Sequence, residues 1–238
     1  MFTENDHQLQ EVLCAFIFNP NLNAWDSTYF GKYYDAIQDL GFNEKQEQKG
    51  FELKFELKAD ANKKISEPQY NEAEPKMLFK NAEKNYAILM ANSYVSFHKL
   101  PPYERWENMM KDQIKPGLEQ YFKIGLGKDL LQVQMLYLNK YEFDEKEKLS
   151  SKFSFIPSIE DFGIGIEKNL LLQSQYDLEP NLLMQIQINA RLTERKTKEV
   201  FLQCSCIAHN KAQKTNWEEI AQQVHDQNNL VFNKITKK

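Results

Sequence analysis

From Met184 to Leu192 apolar and polar residues alternate without a break: Met184, Ile186, Ile188, Ala190 and Leu192 against Gln185, Gln187, Asn189 and Arg191. A period of two puts every apolar side chain on one face of an extended strand, whereas on a helix the same residues would be spread around the axis. Val200 to Ala208 answers this run across a charged turn from Thr193 to Glu199, which predicts an antiparallel hairpin with one dry face. A sheet with one dry and one wet face needs helices on the dry side only. The chain is therefore expected to be α+β: a largely antiparallel sheet with helices packed on one face, in the manner of saddle-like or helix-grip-like folds.

The remaining patterns fit that frame. Val12 to Phe18 is a nearly continuous apolar run stopped by Asn19-Pro20-Asn21, the pattern of a central strand buried on both faces. Asp26-Ser27 is placed to cap a helix running to about Leu40, with Tyr29, Phe30, Tyr33 and Ile37 at helical spacing and Gly41 as its stop. Phe51 to Lys58 alternates apolar and charged residues as a strand, so Glu52 and Glu56 read as its wet face rather than as a catalytic carboxylate pair. The polar stretch at about 59–75 reads as a loop. Lys76–Lys80 and Asn85–His98 read as two strands, and Pro101-Pro102 ends the second. A helix follows, with Trp106, Met109, Met110, Ile114, Leu118, Tyr121 and Phe122 on one stripe and a kink or restart at Pro116-Gly117.

Leu130–Tyr141 and Leu170–Leu178 read as further strands, with short segments at 153–156 and 162–166 between them. The chain closes in a helix carrying Trp217, Ile220, Ala221, Val224, Val231 and Ile235, with Thr215 and Glu218 at capping-box spacing. Two halves that each end in a tryptophan-headed helix suggest an internal duplication. Its 238 residues fit a single domain, 1–238.

Composition narrows the class. With 42% hydrophobic residues a sizeable core is within reach. Thirty Lys and Arg against 34 Asp and Glu leave a formal charge of −4, which weighs against nucleic acid as the partner. No apolar run approaches the ~20 residues of a membrane helix, and the first residues do not have the character of a signal peptide. Three cysteines imply no closed disulfide framework. A reduced, cytoplasmic protein is expected.

No motif carries a chemistry. Cys204-x-Cys206 with His209 lacks both the C-x₂₋₄-C spacing and the second pair of a structural zinc site, so no metal is expected. His7, His98, His209 and His225 have no nucleophile or carboxylate at motif spacing. Gly125-x-Gly127 and Gly163-x-Gly165 read as turns, without the further residues of a dinucleotide or phosphate loop, and no cofactor is expected. Asn139 directly follows an apolar run ending in Tyr137-Leu138, where an amide either caps a turn or meets a ligand. Tyr103 and Trp106 read first as core anchors.

The order Phe79, Asn92, Tyr103-x-x-Trp106-Glu107, Tyr137-Leu138-Asn139, and finally His225 with Phe232, Ile235 and Thr236 resembles a sporadically distributed family of uncharacterised prokaryotic proteins. That family often has an arginine before its Tyr-Ile-Asn element, where this chain has Leu136. The resemblance implies a prokaryotic, cytoplasmic protein of patchy distribution, as for toxin–antitoxin or phage-defence accessory components, and supplies no activity. The expected function is accordingly non-catalytic binding and regulation of another macromolecule, a protein partner, through the hydrophilic face of the sheet. The alternative is a small-ligand pocket between sheet and helices, with Tyr103, Trp106, Tyr137, Asn139 and His98 as its candidate lining.

Overall fold

The computed structural model describes residues 9–19, 25–48, 51–54, 69–72, 75–103, 105–153, 156, 169–209 and 216–236. Nine strands form one antiparallel sheet. In chain order its members are β1 (Leu9–Phe18), β2 (Glu44–Gln48), β5 (Lys76–Asn81), β6 (Tyr86–Ala91), β7 (Tyr94–Lys99), β8 (Leu130–Asp144), β9 (Asn169–Glu179), β10 (Leu182–Leu192) and β11 (Thr197–His209). Their spatial order is β2-β5-β6-β7-β1-β8-β11-β10-β9. β3 (Phe51–Lys54) and β4 (Gln69–Glu72) pair as a separate two-stranded ribbon. The helices are α1 (Thr28–Ile37), α2 (Trp106–Met109), α3 (Lys115–Lys123) and α4 (Trp217–Ile235). Among the described residues no helix is long and apolar enough to cross a membrane.

The expected α+β architecture is what the chain adopts, and its topology repeats. In each half one strand is followed by a three-strand meander whose last member returns to pair with the first, and a helical segment comes next: β1 with β5-β6-β7 and α2–α3, then β8 with β9-β10-β11 and α4. The halves meet where β1 pairs with β8, Cys14 opposite Met135 and Val12 opposite Tyr137.

Strand alternation decides where the core lies. Val12, Cys14, Phe16 and Phe18 of β1, Val133, Met135, Tyr137 and Tyr141 of β8, and Val200, Leu202, Cys204 and Cys206 of β11 are all buried on one side. The helices cover that side: Phe16 packs edge-on against Trp217 and Phe97, Phe18 stacks on Tyr121, and Tyr33 of α1 meets Phe79 and Tyr121. On the opposite face of β1, Leu13 and Ile17 are only half-buried, so this central strand has one fully dry face rather than two. Burial pushes the thiols of Cys204 and Cys206 up to about 12, and that of Cys14 also well up, so all three act as small apolar core residues.

The structure corrects several local expectations. Asn85–His98 is not one strand but two, folded at Asn92-Ser93 so that Ala91 faces Tyr94. An Asn-Ser pair suits a two-residue turn, and the apolar runs on either side conceal it. The polar stretch expected to be a loop contributes β4, whose Gln69–Glu72 pairs with β3. Glu44–Gln48 has no apolar residue and was not legible as a strand, yet pairs with β5 as an exposed edge. Asp26 caps α1 as expected, its Oδ1 accepting the Thr28 N–H at 2.8 Å. The helix bearing Trp106 restarts at Lys115 after a π-helical turn, Met110–Ile114, with Pro116 accommodated in the first turn of α3. Thr215, Gly163 and Gly165, the segment 162–166 and the second half of the strand expected at 51–58 lie outside the described residues.

Two helical glycines make a paired test. Gly31 of α1 has open space around its Cα, so Gly31→Ala is expected to stabilise the protein by about 0.5–1 kcal/mol through helix propensity. At Gly117 of α3 an added Cβ would lie 2.5 Å from Cε1 of the buried Phe97 and 3.4 Å from the Tyr33 hydroxyl, which itself donates to the Gly117 carbonyl at 3.1 Å. Overpacking outweighs propensity there, and Gly117→Ala is expected to cost about 1–3 kcal/mol. Urea denaturation of the two variants reads both signs, and a stabilising Gly117→Ala would contradict the packing described.

Candidate functional site

One end of the helix-covered face holds a cavity of about 650 Å³, walled by β8, the segment entering α2, and the C-terminal half of α4. Such a volume is in the ordinary range of small-ligand sites, ~300–1,000 Å³. Strand alternation aims Tyr137 and Asn139 of β8 into it, two residues apart on the helix side. Pro101-Pro102 turns the chain off β7 and delivers Tyr103, Arg105, Trp106 and Glu107 to the rim. On α4, His225, Asn229, Phe232 and Asn233 line the wall at helical spacing.

The wall is held by a chain of hydrogen bonds. Trp106 Nε1–H donates to Gln222 Oε1 at 2.8 Å, and Gln222 Nε2 donates to Asp226 Oδ1, also at 2.8 Å. The same carboxylate oxygen lies 2.9 Å from His225 Nδ1, and Asn229 Nδ2 lies 3.1 Å from His225 Nε2. Since an amide nitrogen can only donate, Nε2 accepts and the proton resides on Nδ1, directed at Asp226. The imidazole stacks on the Trp106 indole at 4.7 Å with 11° between planes, and meets Tyr137 edge-on. Both ring nitrogens are thus engaged, which fixes the His225 ring as part of the wall.

The polar groups at the floor are of another kind. Asn139 is only 2% exposed, and its Nδ2 has no hydrogen-bond partner among the described residues. A buried amide donor left unpaired costs about 1–3 kcal/mol. Burial, reinforced by the Glu107 carboxylate beside Tyr103 and by Tyr103 beside Tyr137, pushes both phenols well above their ordinary range. At neutral pH both hydroxyls are therefore intact, and with the Asn139 amide they make an uncharged floor between aromatic walls. Arg105 and Glu107 are exposed at the rim and add one charge of each sign.

Four of the five expected residues, Tyr103, Trp106, Tyr137 and Asn139, converge on this cavity. His98 does not. The alternation that buries Val95 and Phe97 of β7 turns His98 to the helix-free face, where Nδ1 meets Glu11 Oε1 at 2.5 Å and Nε2 meets Ser96 Oγ at 2.7 Å. Asn139 is not at a strand end either: β8 runs on to Asp144, and Asn139 stands opposite Leu9 on one side and Leu202 on the other. Missing from the expected lining were Arg105, Asn229 and Asn233. The recurrence of His225, Asn229, Phe232 and Asn233 along one stripe of α4 was the available signal, obscured because the apolar stripe of that helix is the stronger pattern. No family model matches the chain, and a search of curated proteins found no match either.

Proposed function

We propose that this protein binds a small organic molecule, a flat ring bearing a carbonyl or carboxylate oxygen, in the cavity between β8, α2 and α4. The observation that carries this reading is Asn139, a residue of the cavity lining whose buried Nδ2 has no hydrogen-bond partner among the described residues; a turn of the amide toward the cavity would offer that donor to an acceptor oxygen of the ligand. Aromatic walls formed by Tyr103, Trp106 and Tyr137 suit a planar body. The test is a thermal-shift screen with benzoate, salicylate, benzamide and nicotinamide derivatives, followed by tryptophan fluorescence to report on Trp106. At a hundredfold excess over Kd a ligand stabilises the folded state by about 2.7 kcal/mol. At least one series is expected to raise Tm and to lose that effect in Asn139→Leu. If no series shifts Tm at millimolar concentration, or the shift is equal in both proteins, the reading fails.

A second reading, regulation of a protein partner, is supported by the other side of the sheet. There β8, β10 and β11 present Gln134, Leu136, Leu138, Gln185, Gln187, Phe201 and Gln203, none of them charged and all half-buried. The nearest charges on this face, Lys140 over the Phe201 ring and Glu199 paired with that lysine, stand at one end of the patch, as at the polar rim of a protein interface. Leu136→Lys combined with Phe201→Lys is expected to release such a partner from a co-expressed complex while leaving ligand stabilisation intact. A complex indifferent to both lysines would count against it.

A further inference from the structure

The two edges of the sheet differ in kind. The β2 edge is five residues of Glu-Lys-Gln-Glu-Gln, all exposed and three of them charged, the usual device by which an edge strand repels a second chain. The β9 edge is eleven residues long, with neither Lys, Arg nor Pro, and its only charges, Asp177 and Glu179, lie near one end. Of the six large apolar side chains exposed among the described residues, three are on this one strand: Leu171 at 66%, Tyr176 at 47% and Leu178 at 37%. Among those residues β9 pairs only with β10, and no described strand stands opposite its outer backbone groups.

The sequence of β9 is also matched to itself. Laid antiparallel against a second copy about Ser174, its midpoint, Leu172 stands opposite Tyr176 twice, Gln173 opposite Gln175 twice, Leu170 opposite Leu178 twice, and only Leu171 opposite Asp177 sets an apolar side chain against a charge. Leu172 and Tyr176 share the helix side of the sheet, where Leu172 already packs against the core cluster, so the pairing would extend the core across the boundary. Gln173 and Gln175 share the opposite side, where their amides meet as donor and acceptor. An even register of this kind keeps like faces together, and it is isologous, as a closed twofold dimer requires. We propose that the protein forms a homodimer by antiparallel pairing of β9 with its counterpart about Ser174, joining two nine-stranded sheets into one. The proposal rests on neither functional reading above.

Analytical ultracentrifugation of the purified chain across micromolar concentrations is expected to show a dimer. Tyr176→Lys, which sets a charge opposite Leu172 of the second copy, is expected to raise the dissociation constant at least about tenfold, with circular dichroism confirming the fold. Ser174→Cys gives a second, geometric readout. Directly opposed residues of an antiparallel pair have Cα atoms about 4.5–5.5 Å apart, within reach of a disulfide. The native cysteines are buried in the core. Oxidation is therefore expected to link Ser174→Cys into a covalent dimer, whereas Gln46→Cys on β2 stays monomeric on a non-reducing gel. A monomer at every concentration, a dimer unmoved by Tyr176→Lys, or a dimer in which Ser174→Cys fails to link each overturns the proposal.

Discussion

Phe16→Ala is expected to destabilise the protein by about 3–5 kcal/mol, the range for removing a fully buried aromatic ring. Phe16 is on β1, the strand that joins the two halves, and is completely buried. Its ring centroid lies 6.0 Å from that of Phe97 on β7 and 5.7 Å from that of Trp217 on α4, both edge-to-face. The first half and the closing helix therefore meet on this one side chain, and no neighbour can fill the gap without leaving another contact. For a chain of this length a loss of that size lowers Tm by roughly 6–20 °C. Leu13→Ala, on the same strand but facing the helix-free side and only half-buried, is expected to cost about 1 kcal/mol. Urea midpoints at unchanged m-value compare the two. Equal losses would mean that the helices do not define the core side.

The second expectation has the opposite sign. Asn139→Leu keeps the number and branching of the side-chain heavy atoms, at a larger volume, while deleting a buried donor that has no partner among the described residues. Removing an unsatisfied polar group recovers its desolvation cost, so the ligand-free variant is expected to be more stable by about 1–3 kcal/mol, or roughly 2–12 °C in Tm. The same substitution is expected to abolish stabilisation by the ring acids and amides that act on the natural protein. A residue that weakens the empty fold and is required for binding is the signature of a site rather than of a structural network. A destabilised Asn139→Leu would show that the amide is satisfied in the free protein, and the argument for the cavity would lose its basis.

How much of this was readable beforehand varies by residue. Tyr103, Trp106, Tyr137 and Asn139 were identifiable because each interrupts or heads an apolar pattern. His98 does not line the cavity, and Val95 and Phe97, three residues and one residue before it, already fixed which way it points. Asn92-Ser93 was lost inside an apolar run, and Glu44–Gln48 had no apolar residue to reveal it. Edge strands are held by backbone pairing, which leaves little trace in side-chain pattern.

Periodicity by itself determined the class of structure: alternation of period two at 51–58 and 184–192, apolar runs bounded by turn residues, and three stretches with an apolar stripe admit little other than a sheet covered on one side by helices. What the tertiary structure alone decided is the meeting of residues some 120 positions apart, Trp106 with His225 and Gln222, and with it the cavity and its unpaired amide. Periodicity is local, set by the backbone geometry of a few neighbouring residues, whereas a cavity is made by the closing of one half of the chain upon the other.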